Sequence, residues 1–491
     1  MNAAMTPRRK RWYRPRNLAI GLGGAAALFI AYQVYWAATA EPAPVINYAA
    51  KLVELCESAQ PAGENCWPLF IEAATILDEV EAEIRERGFE PRFAGSGFFV
   101  DYSLVYDPPA AGTDVEPERL ALAMLRERGA FDLLAEAAVR PRAVRPIIGP
   151  SPLFHSVSLP ELAQFQRLAR ARVASMRLAF DEGDMAEAVA TFEQTMALGR
   201  ACGAQPFLID QLIGRAIAAL ATSYLRYELM ERSLDTQTCL ELLSVLDRQR
   251  PLSRPGVALE GERLLMFDFI QWAYTDDGHG DGRLNLQKYS SFGTGAGSPS
   301  QLGVLGTFQS IFLAGRAETI RLVDEFYDGM VSEAKMNPIE RAKSPFDADA
   351  FEAKLTARHI FLNAMLPAAG KFIEKAEVID VGIEGLRVML ALEAYRSKHG
   401  AYPASLRDLV PKILGELPTD PIHGGAFGYH LVTDDPHGRA YLLYSTGLDR
   451  TDNDGVELDG SGITKYGWAG TLVNPETSGF DFVINQPRRQ E

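Results

Sequence analysis

The sequence predicts a mainly α-helical protein: a single transmembrane helix, an α-helical body that contains a tight helical hairpin, and a small C-terminal α+β domain. Three observations carry this. An uncharged apolar run lies near the N-terminus, apolar side chains recur at 3-4 spacing up to about residue 378, and aromatic and β-branched runs separated by turn residues gather after residue 400. With 491 residues and 47% hydrophobic content, the chain has apolar material for two or three domains.

Residues 1–16 hold Arg8, Arg9, Lys10, Arg11, Arg14 and Arg16 and no acid, and read as a basic cytoplasmic tail. Without those six charges the formal net charge of −15 becomes −21, so acidic a body that binding to nucleic acid is not expected. Asn17 to Ala38 contains no charged side chain. As a helix it would be about 33 Å long, enough for a hydrocarbon core of about 30 Å. The basic cluster on one flank and Tyr32, Tyr35 and Trp36 on the other predict a cytoplasmic N-terminus, the lipid bilayer as partner, and everything after the anchor outside. Ala38-Thr39-Ala40 also fits a signal-peptidase site. The apolar run is longer than the roughly 7 to 15 residues of a signal peptide, which favours an uncleaved anchor.

Residues 43–370 read as the helical body. Phe70, Ala73, Leu77, Val80 and Ile84 mark one face of a helix from Trp67 to Arg87, with Gly88 at its C-cap. Leu159 to Leu198 reads as a hairpin: a helix through Phe180, the turn Asp181-Glu182-Gly183-Asp184, and a second helix with Ala188 and Phe192 facing back. Gly-Asp followed by Ala-x-x-x-Phe resembles a tetratricopeptide hairpin. Pro206 to Met230 and Asp235 to Arg248 form a degenerate second pair. The Ser/Gly-rich stretch from Tyr289 to Gly306 reads as a mobile linker. The simplest disulfide pairing is Cys56 with Cys66 and Cys202 with Cys239, against four buried thiols.

Residues 371–491 read as the α+β domain. A helix from about Phe372 to Lys398 would pack on strands at Phe427–Val432 and Ala440–Tyr444, joined by the turn residues Asp435-Pro436-His437-Gly438. The order Leu390 to Arg396, His399-Gly400-Ala401-Tyr402-Pro403, Leu417-Pro418-Thr419-Asp420-Pro421, then Tyr444-Ser445-Thr446-Gly447-Leu448-Asp449 resembles the globular end of the major pseudopilin of type II secretion systems. The resemblance covers about residues 380 to 465. It implies assembly with envelope or secretion-apparatus proteins, no catalysis, and a loop that wraps calcium. The ligands so implied are Ser445, Asp449, Asp452, Asp454 and Asp459. Crowded carboxylates repel one another unless a cation neutralises them. The uncharged N-terminal run lacks the acid that a processed pseudopilin carries there, so a filament subunit is not expected. The whole chain, with its Gly-Asp hairpin, Pro206 to Gly214, Glu260 to Arg263, Asp276 to Gly282 and pseudopilin-like end, also resembles uncharacterised planctomycete-type bacterial envelope proteins, which implies an architecture and no activity; the anchor with its basic flank sets the expected location, single-pass in a bacterial inner membrane with the domains on the periplasmic side.

A second candidate calcium loop reads from residue types alone. Asp277, His279, Asp281, Gly282 and Asn285 fall at positions 1, 3, 5, 6 and 9 of an EF-hand-like loop, departing from it with His279 and with Lys288 at position 12. Enzymatic signatures are missing: no H-E-x-x-H, G-x-S-x-G, P-loop or C-x-x-C occurs, and Ser332 to Lys335 has S-x-x-K form without its partner motifs. His423, His430 and His437 read as structural or exposed. The expected function is a membrane-anchored, extracytoplasmic, non-enzymatic scaffold or secretion accessory. The alternative is a periplasmic hydrolase, whose mark would be a cleft with paired carboxylates.

Overall fold

The structure, a computed structural model, describes residues 45–89, 115–150, 157–276, 281–286, 312–366, 372–447, 449–456 and 479–486, with a few positions besides. Most of the 17–38 run lies outside them. Its described positions Ala27, Leu28, Phe29, Ala31, Tyr32 and Tyr35 are helical and exposed. Among the described residues no helix is long and apolar enough to cross a membrane. The linker from 290 to 306 also lies outside.

The protein is mainly helical. Helix α1 (Tyr48–Ser58) is N-capped by the Asn47 side chain, and α2 (Trp67–Glu86) buries the predicted face of Phe70, Ala73, Leu77, Val80 and Ile84 completely. Helices α3 (Glu116–Glu127) and α4 (Ala130–Val139) pack on α2. The hairpin forms as its residues dictate. Helix α5 (Pro160–Glu182) ends at Gly183 in the left-handed conformation, Asp184 accepts a hydrogen bond from the Glu187 N–H, and α6 (Met185–Gly203) begins. Ala188 and Phe192 are buried. Helix α7 (Leu208–Glu231) crosses α6 where glycines meet: a Cβ at Gly214 would stand 2.5 Å from the Gly199 carbonyl oxygen. Helix α8 (Thr236–Arg248) follows, N-capped by Asp235.

A second apolar cluster brings together α9 (Pro255–Ala273), α10 (Arg316–Glu333) and Phe351, Phe361 and Leu362 of later short helices. Where this region meets α7, the Glu262 carboxylate accepts a 2.9 Å hydrogen bond from the N–H of Leu208. Burial pushes the Glu262 carboxyl up to about 7, against the Leu208 N–H, which holds it down, and with nearby Asp210 raising it further. A carboxyl whose folded pKa lies above its unfolded value contributes stability below the unfolded value and loses it as pH rises through the folded one. The wild-type protein is therefore expected to lose stability between pH 4.5 and about 7. Glu262→Gln keeps an acceptor for Leu208 and should flatten that fall, read from urea midpoints across the range.

The C-terminal region begins with α11 (Phe372–His399), ended by Gly400 at φ 80°. It carries a three-stranded antiparallel sheet of order β1 (Gly428–Leu431), β2 (Tyr441–Ser445), β3 (Phe482–Val483), with Gly428 opposite Tyr444 and Ser445 opposite Phe482. The Asp435 carboxylate accepts hydrogen bonds from the N–H groups of His437 and Arg439 and fixes the predicted turn. The predicted boundary at 370/371 runs through a continuous core. Helix α11 packs on α7 and α8, and Leu386, Met389 and Leu390 belong to the same apolar cluster as Phe165, Phe192 and Tyr224. Polar contacts line the same seam: Arg215 pairs with Asp380 at 3.1 Å, Arg387 with Asp247 at 2.6 Å, and Glu393 accepts from the Leu234 N–H at 3.1 Å.

The disulfides expected from sequence do not form; all four cysteines are buried free thiols. Helix α8 runs beside α6 in the same direction, since Arg248 pairs with Glu193 and, further along both segments, the Leu252 carbonyl lies against Gly203. Cys202 therefore sits level with the far end of α8 from Cys239, about 15 Å along the axis. Burial pushes the Cys66 thiol up to about 11 and Cys56 and Cys239 up to about 12, so the thiolate form is suppressed.

Candidate metal centre

Strand β2 delivers the chain to the acidic loop. Gly447, Arg450, Asp454 and Gly455 all have positive φ, at 66°, 57°, 63° and 77°, which curls residues 449–456 tightly enough for their side chains and N–H groups to meet. The Asp449 carboxylate accepts 3.0 Å hydrogen bonds from the Thr451 and Gly479 N–H groups. Asp452 accepts from the Asp454 N–H at 2.9 Å and from the Tyr444 hydroxyl at 3.1 Å.

The centre of this arrangement is a residue that sequence reading missed. Asp481, one position before β3, is only 5% exposed, and its Oδ2 accepts from the Asn453 and Gly455 N–H groups at 2.9 and 2.7 Å. Its own N–H donates to the Val456 carbonyl at 2.8 Å, so the loop and β3 are tied together at this one residue. Among the described residues the other carboxylate oxygen, Oδ1, is buried without a donor, as are Asn453 Oδ1 and Thr446 Oγ1 in the same stretch. Burial raises the Asp481 carboxyl, the Gly455 and Asn453 N–H groups pull it back, and Asp452 and Asp449 raise it further. A buried, partly desolvated carboxylate oxygen with acidic neighbours and no donor is what a hard cation would satisfy.

Of the predicted ligands, Asp449, Asp452 and Asp454 lie in this loop. Ser445 is buried and its hydroxyl accepts from the Gly447 N–H at 3.2 Å, so it shapes the turn. Asp459 lies outside the described residues. Among the described residues no set of three or more His, Cys, Asp or Glu side chains stands as a metal-holding group. Amide, hydroxyl and backbone oxygens, which calcium also takes, would have to complete the shell.

The EF-hand-like loop divides. Asp277 and His279 lie outside the described residues. Asp281 Oδ1 accepts from the Ala317 N–H at 2.7 Å and so caps α10, whose own N-cap residue is Gly315. Asn285 accepts from the Lys288 N–H at 3.1 Å. Tyr274 and Leu284 form an antiparallel bridge, with Thr275 N–H bonded to the Arg283 carbonyl at 2.9 Å. Asn285 thus serves its own turn, and Asp281 serves the backbone of residue 317, far along the chain, a role that no local spacing announces.

A cleft with paired carboxylates would mark the hydrolase alternative. A cleft of about 340 Å³ between α3, α5 and α6 is lined by Arg119, Arg126, Glu182, Asp184 and Glu187. Asp184 is engaged as the α6 cap, and Glu187 pairs with Arg126 at 2.9 Å. No protein-family model, curated protein or solved structure matches this chain.

Proposed function

We propose that this chain is a membrane-anchored, extracytoplasmic, non-enzymatic scaffold, an accessory to a secretion or pilus-like assembly, whose C-terminal domain is stapled by calcium. The observation that carries the calcium reading is the buried Asp481 oxygen without a donor, set among Asp449, Asp452, Asn453 and Thr446. Asp481 would hold the ion together with the Asn453 amide oxygen and backbone oxygens of the loop, and the ion when bound would neutralise the neighbouring Asp452 and Asp449 and pin the loop to β3. An accessory, as opposed to a polymerising subunit, fits the α11 face that is already occupied by α7 and α8. Anchoring is supported by the six basic residues before the uncharged run, and by the exposure of Leu28 and Phe29, 74% and 62%, on its described helical positions.

Topology tests the anchor. A reporter active only outside the cytoplasm should work when fused after Glu491 and fail when fused before Asn17. Activity of a cytoplasm-only reporter at the C-terminus would end the extracytoplasmic reading.

A further inference from the structure

One face of the body is apolar where the anchor would leave it. In the extended stretch 145–150 side chains alternate: Arg145 and Ile147 are buried, while Pro146, Ile148 and Pro150 are exposed, Ile148 by 83%. Val45 and Ile46, 82% and 40% exposed, share a small cleft with Gly149, so the two segments lie side by side. Among the described residues the five exposed side chains are uncharged; Asp268 lies buried in the cleft between the segments, where its carboxylate accepts from the Leu153 N–H at 2.6 Å. Scattered exposed apolar residues are ordinary, but five in one strip on a body this acidic are not.

We propose that the strip of Val45, Ile46, Pro146, Ile148 and Pro150 rests on the lipid interface of the membrane that holds the anchor. The inference depends on the anchor reading. Chain length selects the occupant: seven residue steps from Ala38 to Val45 reach at most about 25 Å, so this strip is the part of the body held nearest the bilayer. Chemistry agrees, because an uncharged apolar strip suits a zwitterionic interface, and a body with net charge −21 would be repelled by a strongly anionic one. At its edge the exposed Lys51 holds its ammonium 5.5 Å from the ring centroid of the buried Tyr48, a cation of the kind that reaches headgroup depth.

The test uses the full chain in phosphatidylcholine bilayers, with an environment-sensitive fluorophore on an introduced cysteine and lipids bearing quenchers both near the headgroup, for position 148, and at mid-chain depth, for position 28. The four native thiols are buried and stay unlabelled. Three sites are compared: Leu28→Cys in the anchor, Ile148→Cys in the strip and Leu431→Cys as the distant control. Leu431 pairs with Tyr441, whose ring meets Tyr402, whose hydroxyl bonds Glu393, which holds Leu234 beyond the C-terminal end of α7. The strip lies at the other end of α7, about 36 Å away, where Phe207 packs with Tyr48. Labels at 28 and 148 should be quenched, with 148 quenched at least about threefold more than 431. Quenching at 28 with equal response at 148 and 431 would overturn the strip while leaving the anchor. No quenching at 28 or 148 would overturn both, and quenching at 148 alone would overturn the anchor and keep the strip on lipid.

Discussion

Arg145→Ala is expected to be the most destabilising single substitution outside the apolar core. Arg145 is 5% exposed and makes a bidentate pair with Asp210, at 2.8 and 2.7 Å, while also reaching Glu161 at 3.3 Å; its guanidinium lies between the Trp67 and Phe207 rings. It fastens the extended stretch after α4 across α5 and α7. Removing it leaves Asp210, wholly buried, and Glu161, 8% exposed, without their shared cation. Breaking a buried pair from one side costs about 3–5 kcal/mol. The loss should appear as a fall in the urea midpoint at pH 7 and shrink towards pH 5. Burial already raises the Asp210 carboxyl against the pull of Arg145, and without Arg145 it rises further; a raised folded pKa gives stability that is present at low pH and lost as pH climbs. Arg145→Lys should restore little, because an ammonium cannot grip the carboxylate bidentately. A loss below about 1 kcal/mol for Arg145→Ala would mean that solvent reaches the cluster and that the clamp is ornamental.

That clamp marks the limit of what the sequence conveys. The 3-4 spacing of Phe70 to Ile84, the Gly183-Asp184 turn and the aromatic runs around Tyr429 and Tyr441 were legible because each encodes its partners within a few residues. The helix predicted to end at Lys398 ends at His399, and the strands fall within a residue or two of their expected bounds. Strand β3 escaped notice because two residues carry no periodicity. Arg145 with Asp210, Glu393 with Leu234, and Asp481 with Asn453 are each settled by contacts 28 to 159 residues apart, and no local spacing announces them. The same reason explains the EF-hand-like loop, where Asp281 has the residue type of a ligand and the position of a helix cap. The signal that was available for Asp481 was its type and place, an acid set inside the apolar run Phe480 to Ile484.

Because α11 shares its core with α7 and α8, the domain's response to calcium has to be read in the full chain; a fragment starting at residue 371 would expose Leu386, Met389 and Leu390. Calcium bound only to the folded state stabilises by RT ln(1 + [L]/Kd), about 2.7 kcal/mol at roughly 100 times Kd. The gain should fall with pH, since protons compete for the raised Asp481 carboxyl. Asp481→Asn keeps an oxygen for the Asn453 and Gly455 N–H groups and removes the charge that the ion needs, which separates binding from turn geometry. The deciding measurement is the melting of the full chain in calcium against chelator, with Asp481→Asn and Asp281→Asn alongside. The account predicts a transition several degrees higher in calcium for the wild type and for Asp281→Asn, and none for Asp481→Asn; a cooperative wild-type melt that ignores calcium, or an Asp481→Asn melt that still responds to it, would contradict it.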